Sequence, residues 1–158
     1  MDDETASWFA RVAVAQRDGG QPAPTFGALA EALQAVVGHK VMTVLKLDDE
    51  SLTSTRLFSS EPSYPPGGRK QHARGAWSAA VIDRGTWFLA PTAADVRTHF
   101  PDAAGIEAAG CGSIVCLPVR HGGVTLATLN LWHASGHYDA AKAERALPLV
   151  SLLVPACR

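Results

Sequence analysis

Along the first segment, Asp2 to Arg17, the apolar residues Trp8, Phe9, Val12 and Ala15 fall on one stripe. Acids precede the stripe, Arg11 and Arg17 follow, and Gly19-Gly20 closes it, which predicts an N-terminal helix within residues 1–20. A second helical period runs through Phe26, Leu29, Ala30, Leu33, Val36 and Val37 to Gly38, with Thr25 as its expected cap. The period then shortens. Val41 to Leu47 and Thr53 to Ser59 read as a strand pair around an acidic turn, Asp48 to Glu50. "EPSYPPGGRKQHARG" holds too much proline and glycine for a long helix or a central strand and is expected to be a loop. Short elements follow: helix in "AWSAAVID", strand in "TWFLA", helix in "TAADVRTHF" capped by Thr92 and Asp95, and a helical turn in "PDAAGIEAAG". A hairpin spans Gly110 to His133, and a last helix starts at Asp139 and runs to Val154, interrupted by Pro148.

The hairpin carries the most information. With Gly122-Gly123 as a two-residue turn, His121 faces Val124, and counting back pairs Val119 with Leu126, Leu117 with Thr128, Val115 with Asn130 and Ser113 with Trp132. That face is mixed in polarity. The opposite one, which pairs Pro118 with Ala127, Cys116 with Leu129 and Ile114 with Leu131, is wholly apolar. Helices are expected on the apolar face. An amide, a hydroxyl and an indole on the other face call for a ligand, ordered water or partial exposure to solvent, since unpaired buried polar groups cost about 1–3 kcal/mol each.

Composition sets the frame. At 158 residues, 47% hydrophobic and 18% charged, the chain makes one ordinary domain. No run approaches the roughly 20 apolar residues of a membrane span, and the acidic N-terminus is unlike a secretory signal, so a cytoplasmic protein is expected. Three cysteines do not make a disulfide framework, and a net charge of −1 without a basic stripe gives no footprint for nucleic acid. By parity Cys116 is a small core residue and Cys111 lies on the pocket side, so no mutual disulfide or shared metal is expected. Of the six histidines only His133 and His137 approach metal-site spacing, across a turn, and no metal or cofactor is expected. Arg69, Lys70, His72 and Arg74 form a basic cluster, either a solvated loop or an attractor for an anion.

The stretches "RLFSSEPSYPPGGRKQ", "FLAPTAADVRTHFPD" and "GCGSIVCLPVRHGGVTLATLNLWHASGHYD" resemble a GAF domain, over roughly residues 25–158. The resemblance implies an α+β fold: a central antiparallel sheet of five to six strands, N- and C-terminal helices on one face, and a pocket under loops and short helices on the other. It also implies a sensory or regulatory module for a small organic ligand. The cyclic-nucleotide signature and the Cys-His bilin attachment of other GAF domains have no counterpart here. With no output domain recognisable, signalling through an assembly or a separate partner is expected. For the ligand, Tyr64, Trp77, Trp87 and Trp132 are the expected aromatic walls, Ser113, Thr128 and Asn130 the orienting polar groups, and Arg56 and Arg69 the cations for a carboxylate or phosphate. No catalytic residue is assigned. Two alternatives stand beside this reading. One is an enzyme resembling the free methionine-(R)-sulfoxide reductases, using Cys111; the other is a ligand-free dimerisation module. Apolar residues on both terminal helices predict a homodimer in either sensory or structural form.

Overall fold

The computed structural model describes residues 1–48 and 51–158, so the expected acidic turn lies, past Asp48, outside the described residues. Helix α1 (Asp3–Ala15) starts where Asp2 accepts a hydrogen bond from the Thr5 amide at 2.7 Å. Helix α2 (Ala23–Val36) begins earlier than Thr25: Pro22 and Pro24 open it, and the Thr25 hydroxyl donates to Gln21 instead of capping. At its end Gly38 takes φ of 75° and returns its amide to the Leu33 carbonyl, the left-handed exit that glycine permits.

Strands β1 (Val41–Leu47), β2 (Thr53–Ser59), β3 (Arg69–Gln71), β4 (Phe88–Ala90), β5 (Ser113–His121) and β6 (Val124–His133) form one antiparallel sheet in the order β3-β2-β1-β6-β5-β4. Strand β3 corrects the reading of residues 61–75 as loop throughout. Three residues pair with β2 at the sheet edge, a position where the flanking prolines and glycines do no harm. Between β3 and β4, α3 (Ala76–Ser78) continues into a π-helical stretch, Ala79–Arg84. Helices α4 (Ala93–His99) and α5 (Ala103–Ala108) follow β4. The Thr92–Asp95 capping box forms as its sequence indicates, each side chain taking up the other residue's amide. Helix α6 (Ala140–Val150), capped by Asp139, contains Pro148, passes through a single 3-10 turn and ends in α7 (Val154–Cys157).

The glycine turn is where counting placed it: Gly122 and Gly123 have φ of 61° and 81°, and His121 faces Val124. Three residues on, the register departs. A β-bulge pairs Arg120 with Thr125 but Val119 with Ala127, leaving Leu126 as the extra residue. Beyond it every pair is shifted by one, Leu117 against Leu129, Cys116 against Asn130 and Ile114 against Trp132. The face of β6 is as expected, whereas the face of β5 is reversed.

The helix-bearing face is therefore more uniform than counting suggests. Val115, Leu117 and Val119 of β5 meet Ala127, Leu129 and Leu131 of β6 and Met42 and Val44 of β1, all buried under α1, α2, α6 and α7. Arg145 of α6 stitches this layer, donating to the Val36 carbonyl at 2.8 Å and pairing with Asp2, which caps α1, and with Glu4 of α1. Most of the apolar surplus behind the homodimer expectation is used inside the chain: Leu149, Val150 and Leu153 are buried, and Trp8 and Phe9 pack on the same core. Among the described residues no helix is long and apolar enough to cross a membrane.

Candidate ligand pocket

The second face of the sheet carries a smaller cluster and a cavity of about 110 Å³. Its floor comes from three adjacent strands: Thr43 and Leu45 of β1, Asn130 and Trp132 of β6, Ile114 and Cys116 of β5. Period-two alternation puts these six on one side because Thr43 pairs with Asn130, and Asn130 in turn with Cys116. Asn130 donates one amide hydrogen to the Thr43 hydroxyl and one to the Thr128 hydroxyl, both at 3.2 Å. Both its hydrogens are thus taken. Its carbonyl oxygen accepts no hydrogen bond among the described residues and is the group that the floor has to offer.

The walls come from β2, β3 and the segments that follow them. Tyr64 sets its ring edge-on to Trp132, centroids 5.3 Å apart, and the Arg56 guanidinium of β2 lies 5.3 Å from the same Tyr64 ring. Trp77 of α3 stacks on His72, with centroids 4.5 Å apart and planes 18° from parallel. The His72 ring nitrogen Nε2 is 2.7 Å from the Ser54 hydroxyl. Lys70 reaches from β3 to Asp102, with Nζ and Oδ2 3.3 Å apart, across the Phe100 ring. His99, Phe100 and Ile106 close the side formed by α4 and α5.

Electrostatics inside the cavity follows from burial. Loss of water, then the neighbouring Lys70 ammonium, brings the His72 imidazole down to about 4, so the ring is neutral at pH 7. Burial pushes the Cys116 thiol up to about 12, opposed by the Trp77 indole. Cys111, also buried, is raised as well, again mainly by loss of water. These shifts run against what a nucleophilic cysteine needs, which is a stabilised and reachable thiolate. The reductase reading is left without support from either thiol.

Of the residues singled out in the sequence, Arg56, Tyr64, Trp77, Asn130 and Trp132 line the cavity, and Thr128 stands just behind, holding Asn130. Three lie elsewhere. The Ser113 hydroxyl accepts the buried Tyr138 amide at 3.0 Å, since the bulge turns this residue away from the cavity. Trp87 packs on the helix-side core and donates from Nε1 to Glu144 at 2.7 Å. Arg69 points outward and pairs with Asp48 at 2.7 Å. Counting placed Cys116 in the apolar core, yet it is part of the cavity floor. Asp102 was missed, and Lys70 and His72 were named only within a basic cluster that could attract an anion, without being placed in the cavity lining. The signal for the latter two was present: once Arg69 to Gln71 is a strand, Lys70 and His72 share one side and Arg69 falls on the other. His133 and His137 stack face to face 3.6 Å apart at the far end of β6, and no cluster of three metal-ligating side chains exists among the described residues.

No protein-family model matches the sequence, and no curated protein is detectably similar to it. Solved structures are similar in fold. The GAF domain of an Acinetobacter phosphoenolpyruvate-protein phosphotransferase superposes with a TM-score of 0.71 at 13% identity, covering 99% of this chain and 94% of that one. The GAF domain of a two-component sensor histidine kinase from Bacillus halodurans gives 0.65 at 14%, covering 84% and 89%. The chromophore-binding domain of Stigmatella aurantiaca phytochrome P1 gives 0.66 at 9%, covering 99% of this chain and 60% of that one. Identities this low speak to architecture, and the architecture is that of a GAF domain.

Proposed function

We propose that this chain is a sensory or regulatory domain that encloses a small organic molecule between the floor of the sheet and the segment from Ser59 to Phe100. The observation that carries the reading is the cavity above Asn130. Its floor combines an amide carbonyl with aromatic and aliphatic walls, the mixture by which small-molecule sites fix orientation and exclude water. Support also comes from the company that the fold keeps, a sensor histidine kinase and a chromophore-binding domain among its neighbours.

Thermal-shift screening of a metabolite library, followed by calorimetry on each hit, tests the proposal. Asn130→Leu keeps approximate volume and removes the carbonyl, so a ligand that leans on Asn130 should bind about 5- to 150-fold more weakly, the equivalent of about 1–3 kcal/mol. A library with no hit at millimolar concentration overturns the sensory reading. A hit bound equally by both proteins removes Asn130 from the site.

A further inference from the structure

Charge is unevenly settled around the cavity. Lys70 is neutralised by Asp102 at 3.3 Å. His72, held near 4, adds no charge at pH 7. Arg56 is different, for no carboxylate lies within 4.0 Å of it among the described residues. Its Nη1 donates to the Pro65 carbonyl at 3.0 Å, which ties down one corner of the guanidinium. Its Nε is buried and finds no acceptor. In a guanidinium Nε–H and one N–H of Nη2 lie side by side, and that edge meets the two oxygens of a carboxylate as a fork. Here that edge has no acceptor among the described residues.

Position and size narrow the occupant. The Tyr64 ring centroid lies 5.3 Å from that of Trp132 and 5.3 Å from the Arg56 guanidinium carbon, so the cation and the aromatic wall are contiguous. One small molecule can use both. A cavity of about 150 Å³ suffices for a benzene ring; this one, at about 110 Å³, is smaller, so its occupant is at most one small ring and enters only as the covering loop gives way. A single uncompensated cation suits a monoanion better than a phosphate dianion, which would leave charge unpaired away from water.

Building on the ligand-pocket reading, we infer that the cavity takes a small single-ring carboxylate, its carboxylate forked on Arg56 and its ring against Tyr64 and Trp132. The Lys70–Asp102 pair then acts as a closed wall and Arg56 as the recognition group. The backbone of Pro65 to Gly68 lies against the guanidinium, with the Pro65 carbonyl on Nη1 and a Cβ built on Gly68 standing 2.6 Å from that atom, so this segment has to yield for a carboxylate to reach the buried Nε.

Calorimetry with the full chain and three matched probes, benzoate, benzamide and benzylammonium, tests this at pH 7. Benzoate should bind at least tenfold more tightly than benzamide, and benzylammonium should give no heat. Arg56→Gln should bring benzoate down to about the benzamide level, a larger loss than benzamide itself suffers. Arg56→Lys, which keeps the charge and loses the fork, should fall between. The wild-type ranking needs no variant and stands even if a variant fails to fold. Benzamide binding as well as benzoate overturns the carboxylate inference and leaves the pocket reading intact. Benzoate bound undiminished by Arg56→Gln overturns the role of Arg56. Silence from all three probes overturns the single-ring carboxylate, and the library screen then decides separately whether the pocket binds anything.

Discussion

Leu129 and Asn130 are consecutive residues of one strand, and they face two different solvents. Leu129 points into a layer of aliphatic side chains closed by four helices. Asn130 points into a cavity whose covering is a basic edge strand, a π-helical turn and two helices of seven and six residues. The first face is held mainly by non-directional burial, with the Ser113 and Arg145 hydrogen bonds at its margins. The second is held by directional contacts, an amide between two hydroxyls, a stacked imidazole and indole, an ion pair over a phenyl ring. Stability belongs to one side of the sheet. On the proposed reading, recognition falls to the other, whose covering elements are short.

The largest test of that division is a pair of substitutions one residue apart. Leu129→Ala removes a fully buried side chain from a close-packed layer and should lower unfolding free energy by about 2–5 kcal/mol. Asn130→Leu should cost less, about 1–2 kcal/mol, because aliphatic atoms over a cavity offset part of the loss of its hydrogen bonds to the buried Thr43 and Thr128 hydroxyls. Urea denaturation of both variants gives the comparison. Equal losses would mean that the cavity face contributes as much to folding as the helix face does.

A second test is pH. His72 in the unfolded chain titrates near 6.5, whereas the folded protein holds it at about 4. Between those values the unfolded chain takes up a proton that the folded one refuses, so stability falls as pH drops from 7 through 6.5 and the loss is complete below 4. For a half-buried ring, solvent screening brings the loss to about 1–2 kcal/mol. His72→Gln removes the titration. Its stability should decline less than wild type between pH 7 and pH 4.5 by that amount, and parallel declines would show that His72 is not held neutral.

How much of this was legible beforehand divides along the same line. The helix face declares itself through periodicity, and the element boundaries there follow from caps and glycines except at the start of α2, which Pro22 and Pro24 open in place of the expected Thr25 cap. The cavity face depends on one residue of register. Its turn could be placed because two glycines demand it, but the bulge at Val119–Arg120 has no such local signature. The bulge is fixed by tertiary contacts, with Arg120 donating to the Thr125 hydroxyl, which donates in turn to the Val81 carbonyl at 2.7 Å. A wider use of the pattern would have exposed it. Unshifted counting sets polar Asn130 against Val115 and puts Leu129 with Cys116, while a shift of one brings Val115, Leu117 and Val119 together with Leu129 and Leu131. The inward side of Lys70 and His72 was hidden for a related reason, since three residues of edge strand carry too little pattern to separate from a loop.

The smallest expected effect separates two indoles that composition alone treats alike. Trp77 stacks on His72 inside the cavity, and Trp87 lies on the other face, its Nε1 donating to an exposed Glu144. A surface hydrogen bond to a carboxylate that water can replace contributes on the order of 0–1 kcal/mol. Trp87→Phe keeps the ring on the helix-side core and removes only that bond, so melting should shift by a few degrees at most. Any ligand found in the screen should bind the variant as it binds wild type. Trp77→Phe shrinks a cavity wall and should weaken the same ligand. If Trp87→Phe instead weakens binding while Trp77→Phe leaves it unchanged, the ligand sits on the helix side, and the assignment of recognition to the Asn130 face fails.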